Sequence, residues 1–425
     1  MPETDVLIIG AGPAGTLAAA LLQREGFRVL IVEQQVFPRF VIGESLLPSS
    51  MTLLAEAGLL ATVEQQHFLL KTGAVFLRGG DECNFDFANR LGTGPNYAYQ
   101  VPRADFDQAL AAAVAARGVE VRFQHSVTAV DLAGDEAVAT VRQPDGTPRE
   151  IRARFILDCS GYGRVLPRLL QLELPSAFPP RESLFAHVTG DLRPPGREEG
   201  KIWVCVHPDD AWIWIIPFAN GKTSVGAVGS PEFFQKFPAD PATQLRAIVA
   251  GEPNAARRLA QMQFTMAPQR ISGYACAVKR LFGPRYALVG NATEFLDPVF
   301  SSGVALALAS AQRAAQVLTR HLRGEAVDWQ VDYANHVMQG INTFRTYVAA
   351  WYDGRLPRIF FTANRDPGIM QQICSALAGQ VWDPANPYVT QADRALTVLA
   401  RVLQDPPAWG KSETSVSAAP SRRQP

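Results

Sequence analysis

Hydrophobic and polar positions along the first forty residues form two short apolar runs around one segment of helical period. The apolar runs lie at 6–9 and 29–32, and the segment between them holds a glycine turn and small apolar residues to about residue 25. This arrangement is typical of a strand, a helix and a second, parallel strand. The pattern therefore predicts that the chain opens with a β-α-β unit of an α/β fold.

Alternation with a period of two dominates the middle of the chain. Residues 71–87 and 119–161 alternate as strands do, and 105–118 between them has a helical pattern that ends in glycine. Strand signals dominate again from about 183 to 275, with a predicted hairpin in which WIWIIPF and KTSVGAV flank Asn220-Gly221. A buried strand, a loop and a long small-residue helix follow near 286–322, and 331–405 has an aromatic-rich helical pattern. We expect a mixed or antiparallel sheet followed by a helical region.

Composition and charge narrow the class of protein. Lys plus Arg and Asp plus Glu number 40 each, which gives no reason to expect nucleic acid or an anionic membrane as a partner. We find no apolar run of the roughly 18–20 residues that a membrane span needs, and no signal-peptide pattern at the start. We therefore expect a cytoplasmic protein. The five scattered cysteines lack any CxxC spacing, so neither a disulfide framework nor a metal site is predicted.

The glycine turn after the first strand carries a dinucleotide fingerprint. Its residues are Gly10, Gly12, Pro13, Ala14 and Gly15. Glycines at this spacing let the backbone approach a pyrophosphate at the helix N-terminus, and Glu33 at the end of the next strand can accept from a ribose hydroxyl. An acidic residue there argues against a 2′-phosphate. The sequence predicts a Rossmann-type domain that binds FAD or NAD, with a tight turn that binds nothing as the alternative.

Three later segments favour FAD over NAD. They are VPRADFDQAL at 101–110, LDCSG at 157–161 and GNATEFLDP at 290–298. Together they resemble the flavin monooxygenase superfamily built on the hydroxybenzoate hydroxylase plan, which implies FAD contacts by Arg103 and by an aspartate after Gly290. This chain has Asn291 where that superfamily usually has aspartate, so Asp297 becomes the better candidate. Read without the resemblance, Arg103 is equally a surface ion-pair partner and Asp107 an ordinary helix residue.

Four further motifs resemble those of the flavin-dependent halogenases. They are RFVIGESLLP at 39–48, KTGAVF at 71–76, WIWIIP at 212–217 and DPVFSSGV at 297–304. The resemblance runs from residue 5 to about 310, with weaker likeness at 381–388. It implies a Rossmann-type FAD domain of the glutathione-reductase type 2 class with a mixed or antiparallel substrate-domain sheet. It also implies that reduced FAD and oxygen form a flavin hydroperoxide, which oxidises halide to hypohalous acid.

The resemblance also assigns roles to residues and boundaries to domains. The implied FAD contacts, beyond the fingerprint residues and Glu33, are Arg39, Ile42, Gly43, Arg103, Val127, Asp297 and Gly303. We expect an FAD domain at 1–175, of which 68–100 contributes to the substrate side, and a substrate-domain sheet at 176–275. A return segment of the FAD domain at 276–330, a helical region at 331–405 and a disordered tail at 406–425 complete the chain.

The same motifs suggest a halogenating site. Lys71 is implied as the lysine that receives hypohalous acid, although a lysine at a strand start is commonly just solvated. Backbone amides at Ser302 and Gly303 are halide candidates. The alternative for that turn is an ordinary N-cap, in which Ser301 or Ser302 caps a helix that begins near Val304. Both explanations can hold together.

The double-tryptophan motif has a period-two geometry. Trp212, Trp214 and Ile216 should lie on one face of a strand and Pro217 on the other. The plain interpretation is a core-facing strand. The resemblance suggests that Trp212 and Trp214 wall off the flavin and keep organic substrate from it. The motif at 39–48 is implied to form a strap along the flavin. Glu44 and Ser45 within it are either part of this strap or a helix N-terminal pair.

The substrate prediction rests on one difference. Halogenases that act on free tryptophan resemble one another in having glutamate where this chain has Phe300. Without that carboxylate, we expect an electron-rich phenol or pyrrole, free or tethered to a carrier protein, and a separate flavin reductase that supplies reduced FAD. The alternatives are a flavin monooxygenase or reductase acting on an aromatic or polyene substrate, and a non-catalytic FAD-binding accessory protein. Aromatic residues at 344–361 either cover the substrate pocket or pack as a helical layer.

Overall fold

The computed structural model describes residues 2–403. The tail predicted at 406–425 lies outside the described residues. Within them, no helix combines the length and the apolar character that a membrane crossing requires. The strands are β1 Thr4–Ile9, β2 Val29–Glu33, β3 Leu69–Lys71, β4 Gly73–Arg78, β5 Asp81–Asp86, β6 Ala98–Gln100, β7 Glu120–Phe123, β8 Ser126–Asp131, β9 Ala137–Arg142, β10 Pro148–Asp158, β11 Glu173–Pro175, β12 Glu182–Thr189, β13 Ile202–His207, β14 Ala211–Pro217, β15 Thr223–Gly229, β16 Gln263–Phe264, β17 Gln269–Ser272, β18 Cys276–Val278, β19 Phe282–Gly283 and β20 Tyr286–Leu288.

Helices connect and cover these strands. They are α1 Pro13–Arg24, α2 Pro48–Glu56, α3 Leu60–Glu64, α4 Arg103–Ala116, α5 Val165–Leu169, α6 Pro231–Gln235, α7 Pro241–Ala250, α8 Pro253–Arg258, α9 Ser302–Leu322, α10 His336–Tyr352, α11 Arg355–Phe360, α12 Pro367–Leu377, α13 Pro387–Thr390 and α14 Ala392–Val402. Short 3-10 turns lie at Phe87–Asn89, Gly161–Gly163, Gly196–Glu198, Gly290–Ala292 and Pro298–Phe300, and a π-helical turn at Gln330–Asn335.

The first sheet contains the predicted β-α-β unit. Its parallel strands lie in the order β20-β10-β1-β2-β7. β9 pairs antiparallel with the N-terminal half of β10, and β8 pairs antiparallel with β9. Helix α1 packs against α9. Strands β1 and β2 are central and almost wholly buried, as expected of apolar runs in a parallel sheet covered by helices. The α/β fold class is confirmed.

The second sheet is mixed, as predicted. Its order is β16-β12-β15-β14-β13-β4-β5, with β17 also paired to β12, and only the β13–β4 pair is parallel. Strands β4 and β5 come from 73–86, so the early part of the chain contributes to this sheet. The predicted hairpin is confirmed: β14 pairs antiparallel with β15, and the amide of Phe218 donates to the carbonyl of Lys222 across the turn at 2.8 Å.

The strand signals at 183–275 overstated the sheet, because three helices, α6 to α8, lie at 231–258. Each of them begins with proline. The preceding residue is Ser230, Asp240 or Glu252, and its side chain accepts a hydrogen bond from a first-turn amide. A capping residue followed by proline is a sequence signal for a helix start. The prediction gave weight to apolar alternation and missed these caps.

Helices α10 to α14 form a layer over the second sheet and α9. Most of the predicted aromatic set is buried there: Phe344, Tyr347, Trp351, Phe360 and Phe361. The ring of Phe76 on β4 lies 5.5 Å from that of Trp351 and 4.9 Å from that of Phe360. The packing interpretation therefore holds for these residues. Tyr352, which is only partly buried, has a different environment.

Candidate active site

A cavity of about 680 Å³ lies between the first sheet, the N-terminus of α1 and the second sheet. Many of the residues predicted to contact FAD line it: Gly10, Gly12, Pro13, Ala14, Glu33, Arg39, Ile42, Gly43, Arg103, Val127 and Gly303. Trp212 and Trp214 line it as well. The residues that line it do not include Gly15, Lys71, Pro217, Asp297 or Ser302. Their predicted roles must therefore depend on other contacts.

The three fingerprint glycines serve two different purposes. A Cβ atom on Gly15 would lie 2.0 Å from the carbonyl oxygen of Gly10, and one on Gly10 would lie 2.7 Å from the carbonyl oxygen of Cys159. These two glycines let chain segments pack. A Cβ on Gly12 would meet no atom closer than 3.6 Å, so this glycine leaves space open at the start of α1. That space, at a helix N-terminus, fits the pyrophosphate of FAD.

Glu33 lies at the end of β2 with its carboxylate held in place. One oxygen accepts from the amide of Ala11 at 3.0 Å and the other from the amide of Gln35 at 2.9 Å. Each carboxylate oxygen has a second lone pair that remains available. Glu33 therefore suits a ribose hydroxyl donor at the edge of the cavity.

Arg103 and Asp107 form a buried pair on α4. Arg103 donates to both oxygens of Asp107 at 2.8 and 2.9 Å, and Arg39 donates to the same carboxylate at 2.8 Å. Asp107 is completely buried and Arg103 is 7% exposed. The surface ion-pair alternative for Arg103 is wrong. Arg103 also donates to the carbonyl of Ile42 at 3.2 Å, which ties the strap at 39–48 to the cavity wall.

The strap ends in a second buried contact that the sequence did not predict. Glu44 is 1% exposed, and one of its oxygens lies 2.8 Å from Nε2 of His187 on β12. Its other oxygen has no hydrogen-bond partner in the described residues, and Glu44 lines the large cavity. Helix α2 begins at Pro48 after Leu47. The helix N-terminal interpretation of Glu44 and Ser45 is therefore wrong.

Two aspartates of the later motifs, Asp158 and Asp297, accept hydrogen bonds from other groups of the protein. Asp158 accepts from the amides of Ser160 and Leu166 at 2.9 and 2.7 Å. Asp297 accepts from the amide of Val299 at 3.0 Å and from the hydroxyl of Tyr352 at 2.8 Å. Asn291 does line the cavity. A direct contact between Asp297 and FAD stays a prediction, while its visible contacts order the turn before α9.

Lys71 is not a solvated lysine. It lies at the end of β3, is 1% exposed, and donates from Nζ to the carbonyl oxygen of Leu46 at 2.9 Å. Burial lowers the pKa of Lys71 to about 7, because removal from water disfavours the charged ammonium. Near neutral pH the side chain therefore changes between the charged ammonium and the neutral amine.

A small cavity of about 20 Å³ lies beside Lys71. Its lining is almost entirely apolar: Leu47, Ala74, Phe76, Phe85, Phe87, Ile202, Val204, Val299, Phe300 and Leu377, with Lys71 and Ser301 as the polar members. That volume suits about one water-sized group and is too small for an aromatic ring, so a ring reaches Lys71 only when lining side chains such as Phe300 move. Ile202 and Ser301 line both this cavity and the large one, so they form the partition between them.

The start of α9 faces this partition. Ser301 has φ 56° and ψ 25°, in the left-handed region, and its side chain makes no capping hydrogen bond. The helix begins at Ser302, and the predicted side-chain cap is wrong. Helix α9 spans 21 residues, and its first amides are left without that cap. Such a helix N-terminus favours an anion.

The two tryptophans lie on the same face of β14, as the alternation predicted. Trp212, Trp214 and Ile216 pack in the main core, whereas Ile213 and Ile215 pack in a second core under α6 to α8. Space for the indole of Trp214 comes from its cross-strand neighbour: a Cβ on Gly226 would lie 2.2 Å from that ring. The indole nitrogen of Trp214 donates to Ser224 at 3.0 Å, and that of Trp212 donates to Tyr352 at 3.1 Å. The core-strand interpretation is confirmed and both indoles line the large cavity, while their role in keeping organic substrate from the flavin stays a prediction.

Comparison with known proteins agrees with this geometry. The family model for the FAD binding domain matches residues 3–340. The chain is 32% identical over 381 residues to a tryptophan 2-halogenase of Chondromyces crocatus, covering 85% of this chain and 71% of that protein. It is 25% identical over 429 residues to a 1H-pyrrole-2-carbonyl-(peptidyl-carrier protein) chlorinase of Pseudomonas fluorescens, with 95% of each covered. The solved structure of a flavoprotein/dehydrogenase of Cytophaga hutchinsonii matches with TM-score 0.92 and 47% identity, over 94% of this chain and 98% of that one.

A fold with this glycine fingerprint, cavity and mixed sheet defines an FAD-binding flavoprotein. The chain belongs to the FAD-binding-domain family and, within it, to the flavin-dependent halogenases, which are oxidoreductases. FAD and a halide ion are the cofactor and co-substrate of this class. The residues that line the large cavity fit FAD: an open glycine at a helix N-terminus, a fixed carboxylate at Glu33 and a buried guanidinium at Arg103.

Proposed function

We propose that this chain uses reduced FAD, O₂ and chloride or bromide to halogenate an electron-rich aromatic ring such as a phenol or pyrrole, free or tethered to a carrier protein. Reduced FAD, when bound, supplies two of the four electrons that O₂ takes up as halide is oxidised to hypohalous acid. A separate flavin reductase supplies it. The observation that carries the proposal is the buried amine of Lys71 in a nearly apolar cavity next to the FAD cavity.

Halide oxidation depends on how the protein holds the ion. The first amides of α9, at Ser302 and Gly303, donate to halide at a helix N-terminus, where the helix dipole also stabilises negative charge. Trp212 and Trp214, which line the same cavity, keep organic substrate away from the oxidising centre. Hypohalous acid then passes the partition formed by Ile202 and Ser301.

Lys71 receives the oxidised halogen on the far side of this partition. As an ammonium it donates a hydrogen bond to hypohalous acid, and as a free amine it exchanges a proton for the halogen and releases water. A pKa of about 7 makes both forms available near neutral pH. Either form presents the halogen to a carbon of the ring, which then loses a proton. That proton converts the hydroxide left by hypohalous acid to water, or restores the amine left by the haloamine.

The choice of an electron-rich ring follows from the lining of the Lys71 cavity. Phe300 is 4% exposed and lines it, and the lining residues include no carboxylate. A cationic ring intermediate must then be stabilised by its own substituents. The named activity of the Pseudomonas fluorescens relative, which acts on a carrier-bound pyrrole, supports this substrate class. The named activity of the Chondromyces crocatus relative supports tryptophan instead.

Incubation with reduced FAD, O₂ and bromide against a panel of phenols, pyrroles and indoles tests the proposal directly. The panel includes free tryptophan and pyrrole-2-carbonyl groups on a carrier protein, and mass spectrometry reads the bromine isotope pattern. We expect brominated phenol or pyrrole. Bromination of tryptophan with none of phenols or pyrroles would contradict the substrate class, and hydroxylated products without halogen would favour a monooxygenase.

A further inference from the structure

A hydrogen-bond chain joins three distant segments beside the large cavity. The indole nitrogen of Trp212 on β14 donates to the hydroxyl of Tyr352 at 3.1 Å. That hydroxyl donates to Oδ2 of Asp297 at 2.8 Å, and Oδ1 of Asp297 accepts from the amide of Val299 at 3.0 Å. Tyr352 is the last residue of α10, far from the motifs that identified the site. A single hydroxyl therefore connects the tryptophan wall to the turn before α9.

The hydroxyl of Tyr352 uses its one proton and one of its lone pairs in these two contacts. It gives its proton to Asp297 and accepts from Trp212, which is 2% exposed. Asp297 in turn caps the 3-10 turn Pro298–Phe300, which leads directly to Ser301 and the first amides of α9. The position of the indole and the position of the helix start are thus set through one oxygen atom.

Two further contacts make α10 a firm support for this hydroxyl. Arg345, two turns earlier on α10, forms a paired contact with Glu294 at 2.6 and 3.1 Å. The guanidinium of Arg181 lies 4.1 Å from the centre of the Tyr352 ring. Helix α10 therefore holds the loop between β20 and α9 at two points, Glu294 and Asp297.

We infer that Tyr352 is a positioning residue for halide oxidation, because its hydroxyl fixes Trp212 against the cavity and fixes the turn that presents the halide-binding amides of α9. This inference rests on the proposed function. Tyr352 belongs to the C-terminal layer of helices α10 to α14, which otherwise packs as an apolar cover. The layer thereby reaches the site through a polar side chain at its edge.

Protonation of Asp297 gives the inference a second observable. The carboxylate faces Tyr352 from α10, Tyr274 from the loop between β17 and β18, and Arg181 from the segment before β12. Burial raises the pKa of Asp297 to about 6, while the hydrogen bonds from Val299 and Tyr352 and the charge of Arg181 oppose that rise. Below this pH the carboxylate becomes neutral and Tyr352 loses an anionic acceptor. Removal of the Tyr352 hydroxyl should raise this pKa further.

Tyr352→Phe is the direct test, and Tyr347→Phe is its matched control. Tyr347 lies on the same helix and lines neither cavity, and its hydroxyl donates to the carbonyl of Tyr388 at 3.1 Å. Loss of one hydrogen bond to a charged group predicts a rise of about tenfold in the KM for bromide in Tyr352→Phe. We expect kcat to change less than KM, and O₂ consumption to exceed product formation. Tyr347→Phe should leave both quantities unchanged.

Fluorine NMR of FAD-loaded protein labelled with 5-fluorotryptophan gives a readout independent of turnover. The resonance that disappears in Trp212→Phe belongs to Trp212. Tyr352→Phe should shift or broaden it, and Tyr347→Phe should not. Asp297→Asn keeps the side-chain shape and should abolish the movement of this resonance near pH 6, which tests the inference even if Tyr352→Phe folds poorly.

The outcomes separate this inference from the proposed function. A wild-type protein that halogenates while Tyr352→Phe matches Tyr347→Phe in bromide KM and in the Trp212 resonance overturns the inference alone. A pH-dependent movement that persists in Asp297→Asn also overturns it. A wild-type protein that halogenates no ring in the panel contradicts the proposed function, whatever the resonance does.

Discussion

The two cavities of this protein are built in opposite ways. The large one combines glycine backbone at the start of α1 with many polar, charged and aromatic side chains, such as Glu33, Arg103 and Trp214. The small one is lined by phenylalanine and aliphatic side chains from five separate parts of the chain, around a single buried amine. Only the glycine turn of the first is local in the sequence, and the rest of its lining comes from distant segments. The second exists only because distant segments pack together.

This difference separates the two requirements of the proposed reaction. A dinucleotide needs an exposed backbone surface with fixed charges, and glycine positions provide it. An electrophilic halogen needs a compartment that excludes water and offers a single nucleophile, because the halogen would otherwise be lost in side reactions. Ile202 and Ser301 divide the two compartments and keep them adjacent. A substitution on one side of this division therefore has the other side as its control.

The largest effect is expected from the fingerprint glycines. Gly15→Ala places a Cβ 2.0 Å from a backbone oxygen, so we expect a lower melting temperature and no bound FAD. Gly12→Ala has no such clash, and its φ of −73° suits alanine. We expect it to fold normally yet bind FAD more weakly by roughly a hundredfold, because contacts to the charged pyrophosphate are lost. Calorimetry and flavin fluorescence measure both effects, and equal FAD affinity in Gly12→Ala would argue against the pyrophosphate position.

Lys71→Met tests the small cavity. We expect halogenation to fall by about 10²- to 10⁴-fold, the range for loss of a group that handles a proton in the reaction, while O₂ consumption continues. Hypohalous acid that escapes should be detectable with a trapping dye. Lys201→Met is the control, since Lys201 is also buried but bonds to Glu198 and Asn84 at 2.6 and 2.8 Å. Unchanged turnover in Lys71→Met would favour the monooxygenase or reductase alternative.

Phe300→Ala tests how the small cavity selects a ring. Removal of a buried phenylalanine side chain costs about 3–5 kcal/mol of stability and enlarges the space beside Lys71. We expect larger rings to become substrates. Phe155→Ala removes an equally buried ring that lines neither cavity, so it should lose similar stability without a change in substrate range. An identical substrate profile in both variants would show that Phe300 does not set the size of the site.

The smallest effect is a pH dependence of stability. The pKa of Lys71 falls from 10.5 to about 7 on burial, so between these values the unfolded chain binds one more proton than the folded protein. The free energy of unfolding should therefore rise with pH through this window, by up to about 1.4 kcal/mol per pH unit relative to Lys71→Met. Urea unfolding at pH 7.5 and 9.5 measures it. Parallel curves for the two proteins would mean that Lys71 stays charged in the fold.

The sequence alone was sufficient to predict those features that depend on local backbone geometry or on the period of apolar positions. The β-α-β unit, the FAD fingerprint and the single face shared by Trp212 and Trp214 all follow from spacing over a few residues. Caps before α6 to α8 were equally local, and they were missed because apolar alternation was given more weight. The failed cap at Ser301 has a different cause: its left-handed backbone is invisible in the residue types.

Long-range contacts required the tertiary structure. The sequence identified Lys71, but only the fold buries it among side chains from β4, β5, β13 and α12 and so lowers its pKa. The pairing of Glu44 with His187 spans 143 positions, and that of Trp212 with Tyr352 spans 140. Desolvation and hydrogen bonding between distant segments depend on which side chains meet, and that is decided by the packing of the whole chain. The sequence by itself determined the cofactor class and the candidate lysine, and the tertiary structure decided the environment in which that lysine acts.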